Sequence, residues 1–422
     1  MQAIIVFIIY IFLFNWLITR IYFFKQTGLG NRWLIMLFSL KVIAGLAYAW
    51  FYMQPAYINT SDTFSYFKFS KEETDWLLKD PAAFLKDIFV YGYQQSGSLF
   101  AGENSYWNDL KDNLIIKLLA ICNVFTFKNY YADIIFFNFI FFFGPAALYR
   151  VTKQVLETNK SLLTVIIFLI PSFLFWCSGI HKDGLVFTFT AIIIFHFYKQ
   201  LQHKKIISAS LIISILCFML LFALRNFMAL LLLPALAVWY LCKCYPARAK
   251  LIVVLIYGTG SILFFLSGYI SPETDMPQYI IEKQAEFKQL SGASEVQVPV
   301  LENSITGFIK FLPTAIDIVF FRPHIADINN SGYIPAATEV LLLWGIAITS
   351  LFVRNKKKAQ PQQAAFLFFC ICFSISFLLL AGYTITFSGA IVRYRAVVLP
   401  FLFIPVLQQL NLQKIPFLKK SV

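Results

Sequence analysis

Charged residues are scarce in this 422-residue sequence. They make up 13% of the chain, whereas a soluble globular protein carries about 25%. Apolar residues reach 59%, including 48 Phe and 21 Tyr, which is more than the interior of a soluble fold can enclose. The composition excludes a soluble globular protein and predicts an all-α, polytopic membrane protein.

Cysteine pairs with metal-site spacing are also lacking. Of the seven cysteines, five lie in apolar stretches, and Cys242 and Cys244 have no second Cys/His pair at a suitable distance in the sequence. The sequence therefore predicts no cofactor and no metal-ligand set. A divalent metal is compatible with it but not indicated.

Long hydrophobic runs dominate what is present. A helix needs about 20 apolar residues to cross a hydrocarbon core of roughly 30 Å. By this criterion the sequence predicts a single integral-membrane domain, residues 1–422, with eleven transmembrane helices. They cover residues 2–24, 32–53, 129–149, 161–178, 184–198, 206–223, 226–242, 251–270, 336–353, 364–386 and 396–411.

The basic residues predict the orientation of these helices. One set of alternate connections holds 19 of the 35 basic residues and one acid, Glu157. By the positive-inside rule this set is cytoplasmic, with the N-terminus outside and the C-terminus in the cytoplasm. The net charge of +14 is therefore spread along membrane edges, and we exclude a nucleic-acid partner.

Two large extracytoplasmic loops follow from this topology, at residues 54–128 and 271–335. The apolar stretches Leu114–Phe127 and Ile305–Phe321 contain charged residues, and a crossing by either alone would place later basic loops outside. We predict that both are interfacial or re-entrant helices on the outer face. Each loop also has a predicted amphipathic helix, near Lys71–Tyr91 and Pro277–Leu290.

Asp62 follows the second predicted span and is the first candidate catalytic residue. An acid at a hydrophobic mouth would have its pKa raised by desolvation, which suits a general base for a hydroxyl nucleophile. The alternative is structural, because Ser61, Asp62 or Thr63 could cap the following helix.

The outer corner Ser178–Gly184 contains three consecutive ionisable residues. His181 and Lys182 are candidate phosphate ligands, and Asp183 is a candidate base or orienting residue. Alternatively, a short turn between two spans simply requires polar residues.

Further cations lie at other predicted outer bends. Arg225 interrupts an apolar run that would be roughly 50 Å long as one helix, so the chain is predicted to fold back there. Arg393 and Arg395 precede the last predicted span. Residues two apart lie on different sides of a helix but on one side of an extended entry segment. Arg322 and His324 lie in the second loop. Each could instead contact lipid headgroups.

Together these outer cations and the loop acid predict a phosphate-binding site. Arginine forks bind phosphate oxygens bidentately, and one base suffices to activate an acceptor hydroxyl. We therefore expect the cations and Asp62 to converge on one cavity that binds a lipid-linked phosphate or diphosphate.

The segments Pro171–Gly184 and Arg393–Phe401 resemble bacterial polytopic glycosyltransferases of the GT-C class. In that resemblance Asp62 occupies the place of the catalytic acid. It implies inverting transfer from an undecaprenyl-phosphate-type lipid-linked sugar to a saccharide or glycoconjugate acceptor. It further implies a multi-pass protein of the bacterial inner membrane, surrounded by membrane lipids and active in cell-envelope polysaccharide synthesis.

Two other functions stay open on the sequence. The chain is also similar to O-antigen and exopolysaccharide polymerases, which gather outer arginines around a lipid diphosphate. A transporter or flippase for an anionic lipid-linked substrate would need charges across the whole bilayer, and only Lys41 lies clearly at mid-span.

Overall fold

The computed structural model describes residues 2–59, 61–89, 106–156, 158–203, 206–270, 274–289, 294–325, 331–355 and 359–411. Parts of both predicted outer loops, including 90–105 and 326–330, lie outside the described residues. Within the described ranges the chain is 85% helix and has no β-strand, only two isolated bridges. The predicted all-α class is confirmed.

The described part of the chain contains seventeen α-helices. In order they are α1 (Gln2–Arg20), α2 (Tyr22–Lys25), α3 (Asn31–Tyr52), α4 (Asp62–Lys79), α5 (Pro81–Lys86), α6 (Tyr106–Thr126), α7 (Tyr130–Val155), α8 (Lys160–Phe168), α9 (Pro171–Trp176), α10 (Lys182–Gln202), α11 (Ser208–Cys244), α12 (Ala249–Ile270), α13 (Met276–Gln289), α14 (Ile305–Ile316), α15 (Ile334–Phe352), α16 (Pro361–Thr384) and α17 (Ser388–Gln409).

Nine of the described helices are long and apolar enough to cross a membrane. They are α1, α3, α7, α10, α11, α12, α15, α16 and α17. The chain is therefore a helical, multi-pass membrane protein. The predicted count of eleven differs from this number at two places.

The first difference is at the predicted span 161–178. The structure divides it into α8, with nine residues, and α9, with six, and neither is long enough to cross a bilayer alone. Pro171 begins α9. A proline lacks the backbone N–H for a helical hydrogen bond and disfavours the helical conformation of the residue before it, so α8 ends upstream of Pro171.

The second difference is at the predicted spans 206–223 and 226–242. They are continuous in α11, of 37 residues, in which two helical parts meet at a kink. Only Arg225 within it has non-helical dihedral angles, with φ −159° and ψ 80°. The predicted break in this run therefore lies at the predicted residue.

Neither apolar stretch predicted to be interfacial is among the nine long apolar helices. The first is part of α6, which begins at Tyr106 rather than at Leu114. The second comprises α14 and a π-helical turn, Asp317–Phe321.

The amphipathic helices α4 and α6 pack on each other around a buried lysine. Lys117 contacts Glu73 at 2.7 Å and Asp87 at 2.8 Å, and its ammonium lies 4.4 Å from the centre of the Trp76 ring. These two carboxylates compensate the desolvation of the charge.

The chain forms two compact units. The first unit comprises Met1–Val151, Ile167–Leu169 and Phe173–Ala229, and the second comprises Thr152–Ile166, Ile170–Ser172 and Leu230–Val422. In the second unit, α14 buries Phe308, Phe311 and Ala315 in a small apolar core. Gly382 of α16 packs there so closely that an added Cβ would lie 2.4 Å from the Ala315 carbonyl oxygen.

Candidate functional site

A corner between α9 and α10 in the first unit is the centre of the candidate site. Two spanning helices hold its backbone from within. Lys41 of α3 donates to the Cys177 carbonyl and, at 3.0 Å, to Ser178 Oγ. Asn138 of α7 donates to the Ser178 carbonyl at 2.8 Å. Lys41, to which the sequence assigned no role, is thus a buried donor that fixes this corner.

Glycines let the corner approach these helices. A Cβ at Gly179 would lie 2.2 Å from the Tyr48 ring, and one at Gly184 would lie 2.5 Å from the Phe141 ring. Both distances are far below van der Waals contact, so only glycine fits unless the rings move. The corner backbone is therefore fixed by close packing as well as by hydrogen bonds.

The corner presents His181 between two carboxylates. His181 Nε2 lies 3.2 Å from Asp62 Oδ2, and His181 Nδ1 lies 3.0 Å from Asp183 Oδ2. Arg225 Nη2 then contacts the other oxygen of Asp183, Oδ1, at 2.7 Å. Four ionisable side chains from three separate parts of the sequence thus form one continuous chain of contacts, which we call the Asp62–Arg225 relay.

Exposure changes sharply along the relay. The side chain of Asp62 is 50% exposed, whereas the exposures of His181, Asp183 and Arg225 are 1%, 0% and 2%. The relay therefore has one end at the protein surface and the remainder inside the first unit.

Two groups of Asp183 face His181 Nδ1. A carboxylate oxygen only accepts, so the 3.0 Å contact with Asp183 Oδ2 is a hydrogen bond when Nδ1 carries the hydrogen. The backbone N–H of Asp183, at 3.4 Å, is a hydrogen bond when Nδ1 carries none. The shorter contact favours Nδ1–H, and Nε2 faces Asp62 Oδ2 at 3.2 Å.

Asp62 is not the residue that caps α4. Ser61 occupies the N-cap position, without a side-chain capping hydrogen bond, and Asp62 is the first residue of the helix. The catalytic role of Asp62 stays a prediction. Lys182 is the first residue of α10 and is partly exposed. In the sequence it lies between His181 and Asp183 of the relay.

The second unit holds the other predicted cations. Asp317 Oδ2 accepts from Arg322 Nε at 3.0 Å, and Asp317 Oδ1 lies 3.0 Å from His324 Nε2. Arg395 Nη1 donates to the carbonyls of Val319 and Arg322 at 3.1 and 2.9 Å. Phosphate binding by these residues stays a prediction.

Of the two arrangements open for Arg393 and Arg395, the structure has the helical one. Both lie inside α17, which begins at Ser388 rather than at the predicted residue 396. In a helix, residues two apart point to different sides. Accordingly Arg395 is 4% exposed, whereas Arg393 is partly exposed.

No family model matches this chain, and neither does any curated protein or solved structure. The functional argument therefore depends on the geometry of the described residues.

Sequence reasoning missed one buried acid. Glu339 of α15 is 6% exposed, and its Oε2 accepts from the backbone N–H of Ser172 at 2.6 Å. The signal that could have found it was its position as a lone acid in a predicted span. In the described part of the chain no group of three or more His, Cys, Asp or Glu side chains is arranged to hold a metal ion.

Proposed function

We propose that this chain is an integral-membrane glycosyltransferase that acts on the extracytoplasmic face. It moves a sugar from a lipid-phosphate-linked donor to a hydroxyl of a saccharide or glycoconjugate acceptor. The observation that carries the proposal is the Asp62–Arg225 relay, which ends in one half-exposed carboxylate supported by buried groups.

Asp62 is the proposed general base. Its carboxylate takes the proton of the acceptor hydroxyl as the acceptor oxygen attacks the anomeric carbon of the donor sugar. The bond from that carbon to the lipid phosphate oxygen breaks, and the phosphate leaves as an anion. A half-exposed carboxylate that can contact the acceptor and also contacts a histidine ring nitrogen is suited to this proton transfer.

Lys182 is the proposed contact for the leaving phosphate. It is partly exposed and begins α10, where helical N–H groups favour an anion. A lysine neutralises a phosphate as a point charge. In the second unit, Arg322, His324, Arg393 and Arg395 are separately proposed to bind phosphate; Arg322 and His324 also contact Asp317.

We further propose the eleven-crossing topology, with the N-terminus outside, in the inner membrane of a bacterium. The α8–α9 pair together supplies one crossing, and the break at Arg225 separates two crossings in α11. The distribution of basic residues supports the sidedness.

Cys244 offers a direct test of this topology, because it is exposed whereas the other six cysteines are buried. We expect a membrane-impermeant maleimide to label Cys244 in inverted vesicles but not in intact cells. As a matched control, Lys79→Cys in a Cys244→Ser background places an exposed thiol in the first outer loop, and it should react only in intact cells. Labelling of Cys244 from outside contradicts the proposed sidedness.

The activity is tested with membranes that contain the full chain. Radiolabelled undecaprenyl-phosphate hexoses are supplied singly, and membranes without the chain serve as the control. We expect one donor to yield labelled glycoconjugate that carries a single added sugar. A ladder of products with increasing repeat number indicates a polymerase instead, and no chain-dependent product from any donor contradicts the proposal.

A further inference from the structure

We propose that Arg225 and Asp183 are positioning residues, which fix the ring of His181 so that Nε2 can exchange a proton with Asp62. This inference rests on the proposed function for its catalytic meaning. It assigns to Arg225 a role through Asp183, in place of the direct phosphate contact that its position at an outer bend predicts.

The backbone of α11 departs from helical geometry at the residue that makes the contact. Helix kinks usually have a local cause, such as a proline, a Gly/Ser pair or an inserted group. Residue 225 is an arginine, and Pro234 lies in a part of α11 with helical dihedral angles. The extended backbone at Arg225 instead accompanies a buried guanidinium bound to Asp183.

Stability alone is a poor explanation for this buried ion pair. Removing two charges from water costs about as much as their attraction returns, so apolar residues of similar size often serve stability as well. Buried ionisable groups within a membrane protein commonly mark a functional site. The function that the contacts indicate is control of the next residue in the relay.

Asp183 transmits that control because its two oxygens are divided between two partners. Oδ1 binds Arg225 at 2.7 Å, and Oδ2 faces His181 Nδ1 at 3.0 Å, where it accepts when Nδ1 carries the hydrogen. A carboxylate held at both oxygens cannot rotate without losing one contact. It therefore fixes both the plane of the imidazole and the ring nitrogen that carries the hydrogen, as buried carboxylates do for catalytic histidines.

The corner backbone has supports other than Arg225. Lys41 and Asn138 hold the Cys177 and Ser178 carbonyls from α3 and α7. Replacement of Arg225 should therefore leave His181 in place and change the orientation and hydrogen position of its ring. The orientation of the His181 ring can therefore be tested in variants whose fold is intact.

The test observes the ring nitrogens of the four histidines in the chain. The full chain, labelled with ¹⁵N-histidine and held in lipid nanodiscs, is observed by NMR, and His181→Asn assigns the His181 signals. We expect Arg225→Gln and Asp183→Asn to shift the His181 ring resonances. Arg225→Lys should restore them in part, because lysine supplies the charge without the planar fork.

Arg150 provides the matched control. It is another buried arginine of the first unit, bound to Gln26 and stacked on Phe195 at 4.4 Å. Arg150→Lys should leave the His181 resonances unchanged. If Arg225→Gln also leaves them unchanged, the positioning role is wrong.

Kinetics separate positioning from phosphate binding. Arg225→Gln is expected to lower kcat for sugar transfer about ten- to hundredfold, with KM for the lipid-linked donor changed less than about twofold. A raised KM with unchanged kcat would instead identify Arg225 as a phosphate ligand and overturn the inference. Shifted His181 resonances without any sugar transfer would support the positioning role and contradict the proposed function.

Discussion

Replacement of Asp62 by asparagine is expected to reduce sugar transfer by about 10²–10⁴-fold, the usual contribution of a general base. The amide has nearly the same shape but cannot accept the proton of the acceptor hydroxyl. It can still contact His181 Nε2, so folding and donor binding should persist. The measurement is kcat in nanodiscs with the donor identified by the transfer assay.

Asp75→Asn is the matched control for Asp62→Asn. Asp75 lies on the same helix, α4, and its exposed carboxylate pairs with Lys128 at 2.5 Å instead of joining the relay. We expect the control to keep at least about half of the wild-type rate, as exposed ion pairs contribute little. Asp62→Asn with an undiminished rate removes Asp62 from the mechanism.

Gly179→Ala is expected to have the second-largest effect. The new methyl group would meet the Tyr48 ring, which is 2% exposed and has little space to move. Overpacking of this kind costs about 1–3 kcal/mol in unfolding free energy. Because Gly179 is two residues from His181, the displaced corner should also lower sugar transfer.

The loss of stability in Gly179→Ala is measured by thermal unfolding with a thiol-reactive dye. The dye reports unfolding because six of the seven cysteines are buried in the folded chain. For Cys122, burial and the nearby Asp133 raise the pKa of the thiol, so it reacts slowly until the chain unfolds. Tyr48→Leu combined with Gly179→Ala should recover part of the lost stability by making room for the methyl group. Gly30→Ala, with nothing within 4 Å of the added Cβ, should be neutral, and a Gly179→Ala protein as stable as this control contradicts the packing argument.

Membrane class and several helix positions could be predicted because they depend on local properties. Hydrophobic length predicts the spans, and the excessive length of one run predicts the break at Arg225. The division of the span 161–178 was missed although its cause, Pro171, is visible in the sequence. An apolar count ignores the missing N–H of a proline.

The relay could be predicted only in part. Asp62, His181, Asp183 and Arg225 were each singled out by residue type and position. Their pairing depends on tertiary contacts, such as that of His181 with Asp62, 119 residues away. No local pattern shows that Arg225 binds a carboxylate rather than a phosphate. The helical start of α17 likewise depends on packing, so the sequence left open whether Arg393 and Arg395 lie on the same side.

The gradient of exposure along the relay has a consequence for its response to dissolved ions. Salt screens surface charges over about 10 Å at 0.1 M but screens buried pairs much less. Higher ionic strength therefore acts at Asp62 and Lys182 and hardly at Asp183 and Arg225. Binding of the proposed anionic lipid donor should therefore weaken as the salt concentration rises. The buried contacts among His181, Asp183 and Arg225 should change little.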